Sequence, residues 1–262
     1  MGEEILLDEQ DGIATVTLNR PDQRNAISYE MWLELQRLAV DLETSSSVRV
    51  VVFRGAGDEA FSAGADIKGF ELYRNNSAKA QIYASAVDGA MDAVEALSKP
   101  TICLIKGYCV GGGCELTHAC DLRIAADNAR LGITAARLGI SIGYGEIRRL
   151  VQLAGRSGAL YILLTAGIVD AEESLRLGLV HKVVPVAEVE EHTYGVARQM
   201  ARLAPLSHKA HKEMSRTVLE DPDLSHLSPE QEALPFLHFD TQDYQEGQQA
   251  FLEKRRPEFK GR

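Results

Sequence analysis

Three short apolar runs constrain this chain more than any other feature: VRVVVFRG at 48–55, TICLIKG at 101–107 and DLRIAA at 121–126. Each is too short for a helix and reads as a buried strand. Helix-length patterns separate them. Residues 29–43 carry Met31, Leu35, Leu38 and Leu42 on one stripe, with Ser28 before them as an N-cap. A longer pattern at about 78–97 ends before Lys99-Pro100, a stop signal. The glycine run 111–113 opens a helix that continues to about 119. Strand, helix, strand, helix, strand is an α/β pattern with right-handed crossovers. Residues 3–7 and 12–18 read as a hairpin with an Asp-Gly turn. From about 143 the helical period dominates, near 145–164, 171–177, 187–203, 206–219 and 242–254. One short strand, 180–184, interrupts it. The expectation is one domain, with a core over 1–195 and a helical subdomain over 196–262.

Composition removes several classes of function. The chain has 262 residues, long enough to bury a sizeable core without a disulfide or metal staple. A net charge of −10 argues against a nucleic-acid partner. It does not exclude an anionic small ligand, which local donors can hold. No window has the ~18 consecutive apolar residues of a membrane helix. The N-terminus, MGEEILLDEQ, has no signal-peptide core, so a cytoplasmic location is expected. The N-x-S match at Asn75–Ser77 then carries no meaning. Cys103, Cys109, Cys114 and Cys120 lie in an apolar stretch and read as small buried thiols. Their spacing fits no zinc template, even with His118 added. No metal is expected.

Chemistry concentrates in two glycine-rich turns that follow buried strands, FSAGADIKG at 61–69 and GYCVGGGCE at 107–115. In α/β sheets ligands gather beyond the carboxyl ends of strands. Glycine allows close backbone approach, and helix N-termini offer unpaired N–H groups. Two such groups converging on one oxygen make an oxyanion hole. Ordinary strand-to-helix turns explain the same residues. Glu115, just past the GGG run, is either a charge complementing its helix or a general base whose apolar neighbours raise its pKa. Gly139-Ile140-Ser141-Ile142-Gly143 matches the nucleophile-elbow pattern, with Asp170 and His181 downstream. However, TAARLGI before it is a poor core strand. His208, Lys209, His211 and Lys212 read as a solvated helix face. No P-loop and no G-x-G-x-x-G is present.

Taken in order, the motifs resemble the crotonase family, the enoyl-CoA hydratase/isomerase superfamily, over nearly the whole chain. Val16-Thr17-Leu18-Asn19-Arg20-Pro21 with Asn25-Ala26-Ile27 resembles the opening strand and first CoA-contacting loop. Phe61–Lys68 resembles the first oxyanion loop, and Lys106-Gly107-Tyr108 through Leu116 the second. Phe251-Leu252-Glu253-Lys254-Arg255 is similar to the C-terminal helix that helps hold CoA. The resemblance implies a spiral of ββα repeats with a C-terminal helical region for trimer assembly. It implies an acyl-CoA thioester substrate, with CoA arriving as part of it and no separate cofactor. The N–H groups of Ala65 and Gly112 would bind the thioester oxygen, and Glu115 would activate water. Arg24, Ala26, Ala63, Asp66, Ile67, Lys68, Phe251 and Lys254 would contact the substrate or its CoA arm. The assembly would be a homotrimer or a dimer of trimers.

One departure stands out. Hydratases of the family carry a second glutamate on the loop that here reads Gly132-Ile133-Thr134-Ala135-Ala136-Arg137-Leu138-Gly139, and Ala135 takes its place. Alanine has no proton to move. Tyr144 and Glu146, slightly downstream, are the candidates for the missing function. The leading expectation is a lyase adding water reversibly to a 2-enoyl-CoA. Decarboxylation, isomerisation or thioester hydrolysis on the same oxyanion site, or a CoA-binding scaffold without catalysis, are the alternatives.

Overall fold

The computed structural model describes residues 3–66 and 69–262. Strands β1 (Ile5–Gln10) and β2 (Ile13–Leu18) form the expected antiparallel hairpin. Its turn has positive φ at Asp11 (53°) and Gly12 (79°), as a two-residue turn between twisted strands requires. Helix α1 (Tyr29–Thr44) follows, and the Ser28 hydroxyl accepts the Met31 N–H at 3.1 Å. Next come β3 (Val50–Gly55), β4 (Ala60–Ser62), the short α2 (Phe70–Tyr73) and the long α3 (Ser77–Ala96). Then follow β5 (Thr101–Ile105), β6 (Tyr108–Val110) and α4 (Gly112–His118). The third round is β7 (Leu122–Ala126), β8 (Arg130–Gly132) and α5 (Tyr144–Thr165), broken at Gly155. The remainder is β9 (Val169–Asp170), α6 (Ala171–Arg176), β10 (Lys182–Val184), α7 (Val189–Ala201), α8 (Pro205–Glu220), α9 (Pro229–Ala233) and α10 (Gln242–Leu252).

Two sheets result. The larger runs β1-β2-β3-β5-β7-β10 and is parallel beyond the hairpin. The smaller runs β4-β6-β8-β9. Each turn of the chain leaves one strand in the large sheet, one in the small sheet and then a helix, which is the ββα spiral. The large sheet is covered on both faces. Val51, Phe53, Cys103 and Ile105 meet α1 and α3 on one side. Val50, Val52, Ile102 and Leu104 meet α7 on the other. Trp32 of α1 donates its indole N–H to Tyr83 of α3 at 3.0 Å inside the first layer.

Two expectations are revised. The division at 195/196 falls inside α7, which packs on the large sheet through Val189 and Ala197. The face assigned to solvent on α8 is partly docked: Lys212 reaches Asp121 at 2.7 Å and the Lys99 carbonyl at 3.0 Å. Burial also pushes the His208 pKa down.

Candidate active site

The small sheet brings the two glycine-rich turns together. After β4, the Ala63 N–H bonds the Arg24 carbonyl. The Ile27 N–H bonds the Gly64 carbonyl, and the Asp66 N–H bonds the Ile27 carbonyl. This parallel bridge skips the Ala65 N–H. On the second turn the Gly111 N–H bonds the Gly132 carbonyl, and α4 begins at Gly112 with its own N–H unused by the helix. The turns nearly touch. A Cβ on Gly64 (φ 99°) would lie 2.9 Å from the Val110 carbonyl oxygen and 3.6 Å from the Gly112 nitrogen. A Cβ on Gly112 would lie 3.1 Å from Trp32 and 3.9 Å from the Ala65 nitrogen. Among the described residues neither the Ala65 nor the Gly112 N–H has a hydrogen-bond partner, and the two turns meet closely enough for both to serve one oxygen, as an oxyanion hole requires.

Glu115 stands one turn into α4 at 7% exposure. Burial, then the charge of Glu146, pushes its carboxyl up to about 8. Glu146, in the first turn of α5, is equally buried at 7%. Its Oε2 has no hydrogen-bond partner among the described residues. Gly143 makes room for it, since a Cβ there would come within 2.6 Å of Oε2. Burial raises the Glu146 pKa; backbone hydrogen bonds from Glu146 itself and from Gly143, together with Arg149, oppose the rise, and Asp88 adds to it. Arg149 itself is 1% exposed and bonded to Asp92 and Glu95. The two buried glutamates are therefore near enough that the charge of one raises the pKa of the other.

Tyr144 is not brought to this pair: it is 94% exposed. Ala135 lies in a 3-10 turn (Ala135–Leu138), half-buried against the core. Arg24, Ala26, Ala63 and Asp66 lie along the outer rim of the first turn. Arg24 (φ 49°) holds its guanidinium 5.7 Å from the Tyr108 ring centre and 3.3 Å from Glu59. Arg20 ties the rim together, donating to the Ala26 carbonyl at 2.8 Å and to the Asp66 carboxylate at 2.7 Å. A surface cavity of about 640 Å³ opens beside this rim, between residues 21–25 and 56–60. Glu115 and Glu146 do not line it. Ile67 and Lys68 lie outside the described residues. Phe251 is 83% exposed and Lys254 is exposed, and no described contact joins either to the rim.

The nucleophile-elbow pattern does not assemble. Ser141 is exposed, the Asp170 carboxylate caps α6 through the Glu173 N–H, and His181 Nδ1 accepts the Arg123 N–H. The four cysteines are buried free thiols. The residue that sequence reasoning missed is Asp88 of α3, whose Oδ1 is buried next to this cluster without a partner among the described residues. An acidic residue between the apolar Val87 and Ala90 was the only available signal.

A spiral of ββα turns with two backbone amides and a buried carboxylate at its small sheet defines a crotonase-fold enzyme of acyl-thioester chemistry. The chain belongs to the enoyl-CoA hydratase/isomerase family, whose sequence profile matches residues 8–262. It is 35% identical to the short-chain-enoyl-CoA hydratase of Clostridium acetobutylicum over 260 residues, covering 98% of each chain. It is 34% identical to the crotonyl-CoA hydratase of Syntrophomonas wolfei over 258 residues, again 98% of each. Among solved structures, it is similar to an enoyl-CoA hydratase/carnithine racemase from Magnetospirillum magneticum. That match has a TM-score of 0.96 at 36% identity and covers 100% of this chain and 97% of that one. Enoyl-CoA hydratase from Bacillus anthracis aligns with a TM-score of 0.92 at 35% identity, covering 99% and 100%.

Proposed function

We propose that this enzyme adds water reversibly across the 2,3 double bond of an enoyl-CoA thioester, with Glu115 as base and Glu146 as acid. The observation that carries the reading is a pair of electrostatically coupled glutamates, each 7% exposed, on the helices that follow the two glycine-rich turns and the adjoining loop. The relatives named as hydratases support it. The thioester oxygen accepts the Ala65 and Gly112 N–H groups. The Glu115 carboxylate removes a proton from water, whose oxygen bonds the β-carbon. The double-bond electrons move to the α-carbon as the enolate forms. The Glu146 carboxyl then delivers its proton to the α-carbon. One base and one acid suffice, so Ala135 need not titrate. Each amide donor contributes about 2.7–4 kcal/mol at the transition state by analogy with other oxyanion holes.

The test is hydration of a panel of short, branched and aromatic 2-enoyl-CoAs, read by loss of enoyl-thioester absorbance and product mass. The wild-type chain should hydrate at least one. Glu146→Gln should lower kcat about 100-fold or more, the scale of a lost acid–base group. A wild-type chain that hydrates none overturns the reading, and an unchanged Glu146→Gln removes Glu146 from it. Because Glu115 must be ionised to act, kcat/KM should rise with pH through about 8.

The same proposal includes CoA only as part of the substrate and no further cofactor. It places the enzyme in a reducing cytoplasm, which suits four free thiols. No helix among the described residues is long and apolar enough to cross a membrane. The working assembly is a homotrimer or a dimer of trimers. Exposed Phe236, Leu237, Phe239, Phe251 and Leu252 near the C-terminus supply apolar surface for it. Light scattering at micromolar concentration checks this, and a monomer would count against it.

A further inference from the structure

The Ala65 amide is aimed by a clamp that reaches back to the first loop. In a trans peptide the N–H and C=O point to opposite sides. The Gly64 carbonyl accepts the Ile27 N–H at 2.8 Å, so the Ala65 N–H is turned away from Ile27. The second turn stands close by, since a Cβ on Gly112 would lie 3.9 Å from the Ala65 nitrogen. This aim depends on a weak piece of backbone. Ile27 and Ala65 form an isolated bridge outside the strands, without a ladder to hold it. Gly64 (φ 99°) lacks the Cβ that would restrict its rotation. Arg20 supplies the missing restraint. Its Nη1 donates to the Ala26 carbonyl at 2.8 Å and its Nη2 to the Asp66 carboxylate at 2.7 Å. Asp66 closes the ring through its own N–H, which donates to the Ile27 carbonyl at 2.9 Å. One guanidinium therefore holds the residue before Ile27 and the residue after Ala65. The side chains of Arg20 and Asp66 are only 10% and 14% exposed, and the planar fork fixes direction as well as distance. Glu4, just before β1, meets Arg20 at 3.1 Å and accepts the Ser28 hydroxyl at 2.9 Å. That ties the clamp to the cap of α1.

We infer that Arg20 is a positioning residue for the reaction: by locking Asp66 to the Ala26 carbonyl, it aims the Ala65 N–H at the thioester oxygen. The inference rests on the reading of Ala65 and Gly112 as the oxyanion pair. Arg20 acts through the direction of one N–H bond. A hydrogen bond weakens steeply as its donor swings off line. The enolate oxygen carries more charge than the ground-state carbonyl, so it gains more from a well-aimed donor. Loosening the clamp therefore lowers kcat more than it weakens substrate binding.

The experiment uses the full chain as wild type, Arg20→Met, Arg20→Lys, Asp66→Ala and Asp66→Asn. The probe is butyryl-CoA labelled with carbon-13 at the thioester carbonyl, which has no double bond to hydrate. Isotope-edited infrared difference spectra read its carbonyl stretch, which falls in frequency as N–H donors polarise it. In wild type the bound band should lie below that of the free thioester. Arg20→Met and Asp66→Ala should each give back about half of that fall, the share of one donor of two. Arg20→Lys keeps the charge without the fork, and Asp66→Asn keeps an oxygen for Arg20, so both should lie between. The double variant Arg20→Met/Asp66→Ala should lose no more than either single one, because both break the same contact. With crotonyl-CoA, kcat should drop about 10–100-fold in Arg20→Met, with KM within about threefold. A merely structural role would lower Tm and leave the bound band at its wild-type position, which overturns the inference. Losses that add in the double variant overturn it too. Should Arg20→Met fail to fold, Asp66→Asn decides, and an unmoved band there counts against the clamp. A wild-type band that does not fall on binding overturns the oxyanion reading and this inference together. A wild type that polarises the carbonyl but hydrates no enoyl-CoA overturns the hydration reading alone, and the band shifts of the variants still decide the clamp.

Discussion

The two sheets are held together by different means. In the large sheet, β3 and β5 are fixed by their own side chains, with Val50, Val51, Val52, Ile102 and Leu104 at 0–1% exposure. The small sheet has strands of two or three residues and little side-chain mass. It is fixed by backbone contact at positions where a side chain would not fit. A Cβ on Gly107 would lie 1.9 Å from the Glu59 carbonyl oxygen, one on Gly113 2.4 Å from Ser62 Cβ, and one on Gly132 2.3 Å from the Gly167 carbonyl oxygen. The large sheet supplies stability through apolar burial, while the small sheet supplies position through close backbone packing. Glu115 and Glu146 lie on the helices α4 and α5 that follow the small sheet's strands β6 and β8.

The largest expected effect separates the two roles in a single residue. Glu115→Gln should lower kcat about 10²–10⁴-fold in the hydration assay while raising stability. Burial pushes Glu115 from 4.5 up to about 8 in the folded chain. The folded state then binds more protons than the unfolded state between those values, so stability falls as pH rises across that window. Glutamine removes the slope, and the gain in Tm should be larger at pH 8 than at pH 5 by calorimetry. A Tm that does not change, or that drops most at pH 8, would show that the site is not strained by this charge.

Leu104→Ala in the large sheet should do the reverse. It should cost about 2–5 kcal/mol in denaturant unfolding and leave kcat per folded molecule unchanged. A falling kcat would mean that the large sheet positions the site more directly than its packing suggests. Gly113→Ala is next. Its methyl would press Ser62, costing about 1–3 kcal/mol, and here kcat should drop together with stability. Stability loss without kcat loss would show that β4 and α4 shift as one body. The smallest effect belongs to Tyr144→Phe. At 94% exposure the hydroxyl lies outside the pair, so kcat should stay within about twofold. A larger loss would return Tyr144 to the chemistry.

The same division decides what could be read from the sequence. β3, β5 and β7 were legible because five or six residues with continuous burial leave an apolar run. The hairpin was legible through Asp11-Gly12, whose backbone conformation few other pairs adopt. β4, β6, β8 and β9 left no periodic trace, because two or three residues cannot show one. Glu115, Ala65 and Gly112 could be placed through the glycine motifs. Glu146 could be singled out because a glutamate there breaks the family pattern. Asp88 could not, since an aspartate four residues before another on one helix (Asp92) has the look of a solvent face. Only the approach of α5, where Arg149 meets Asp92 and Glu95 and Gly145 comes up to Asp88, covers its Oδ1. Lys212 misled for a related reason: its partner Asp121 lies 91 residues away, and no local pattern announces it.

The proposed placement of the acid on α5 has a consequence for how such a site can diverge. With alanine at 135, the loop over 132–141 holds no carboxyl group, and residues 136–141 are all exposed. Glu146 is instead anchored by a helix whose buried Arg149 and Leu150 lock its orientation to the core. Under the proposed role of Glu146, reactivity and the adjoining surface loop are thereby uncoupled. Substitutions and length changes in the loop can accumulate, under selection for what it touches, without retuning the pair of carboxylates behind it.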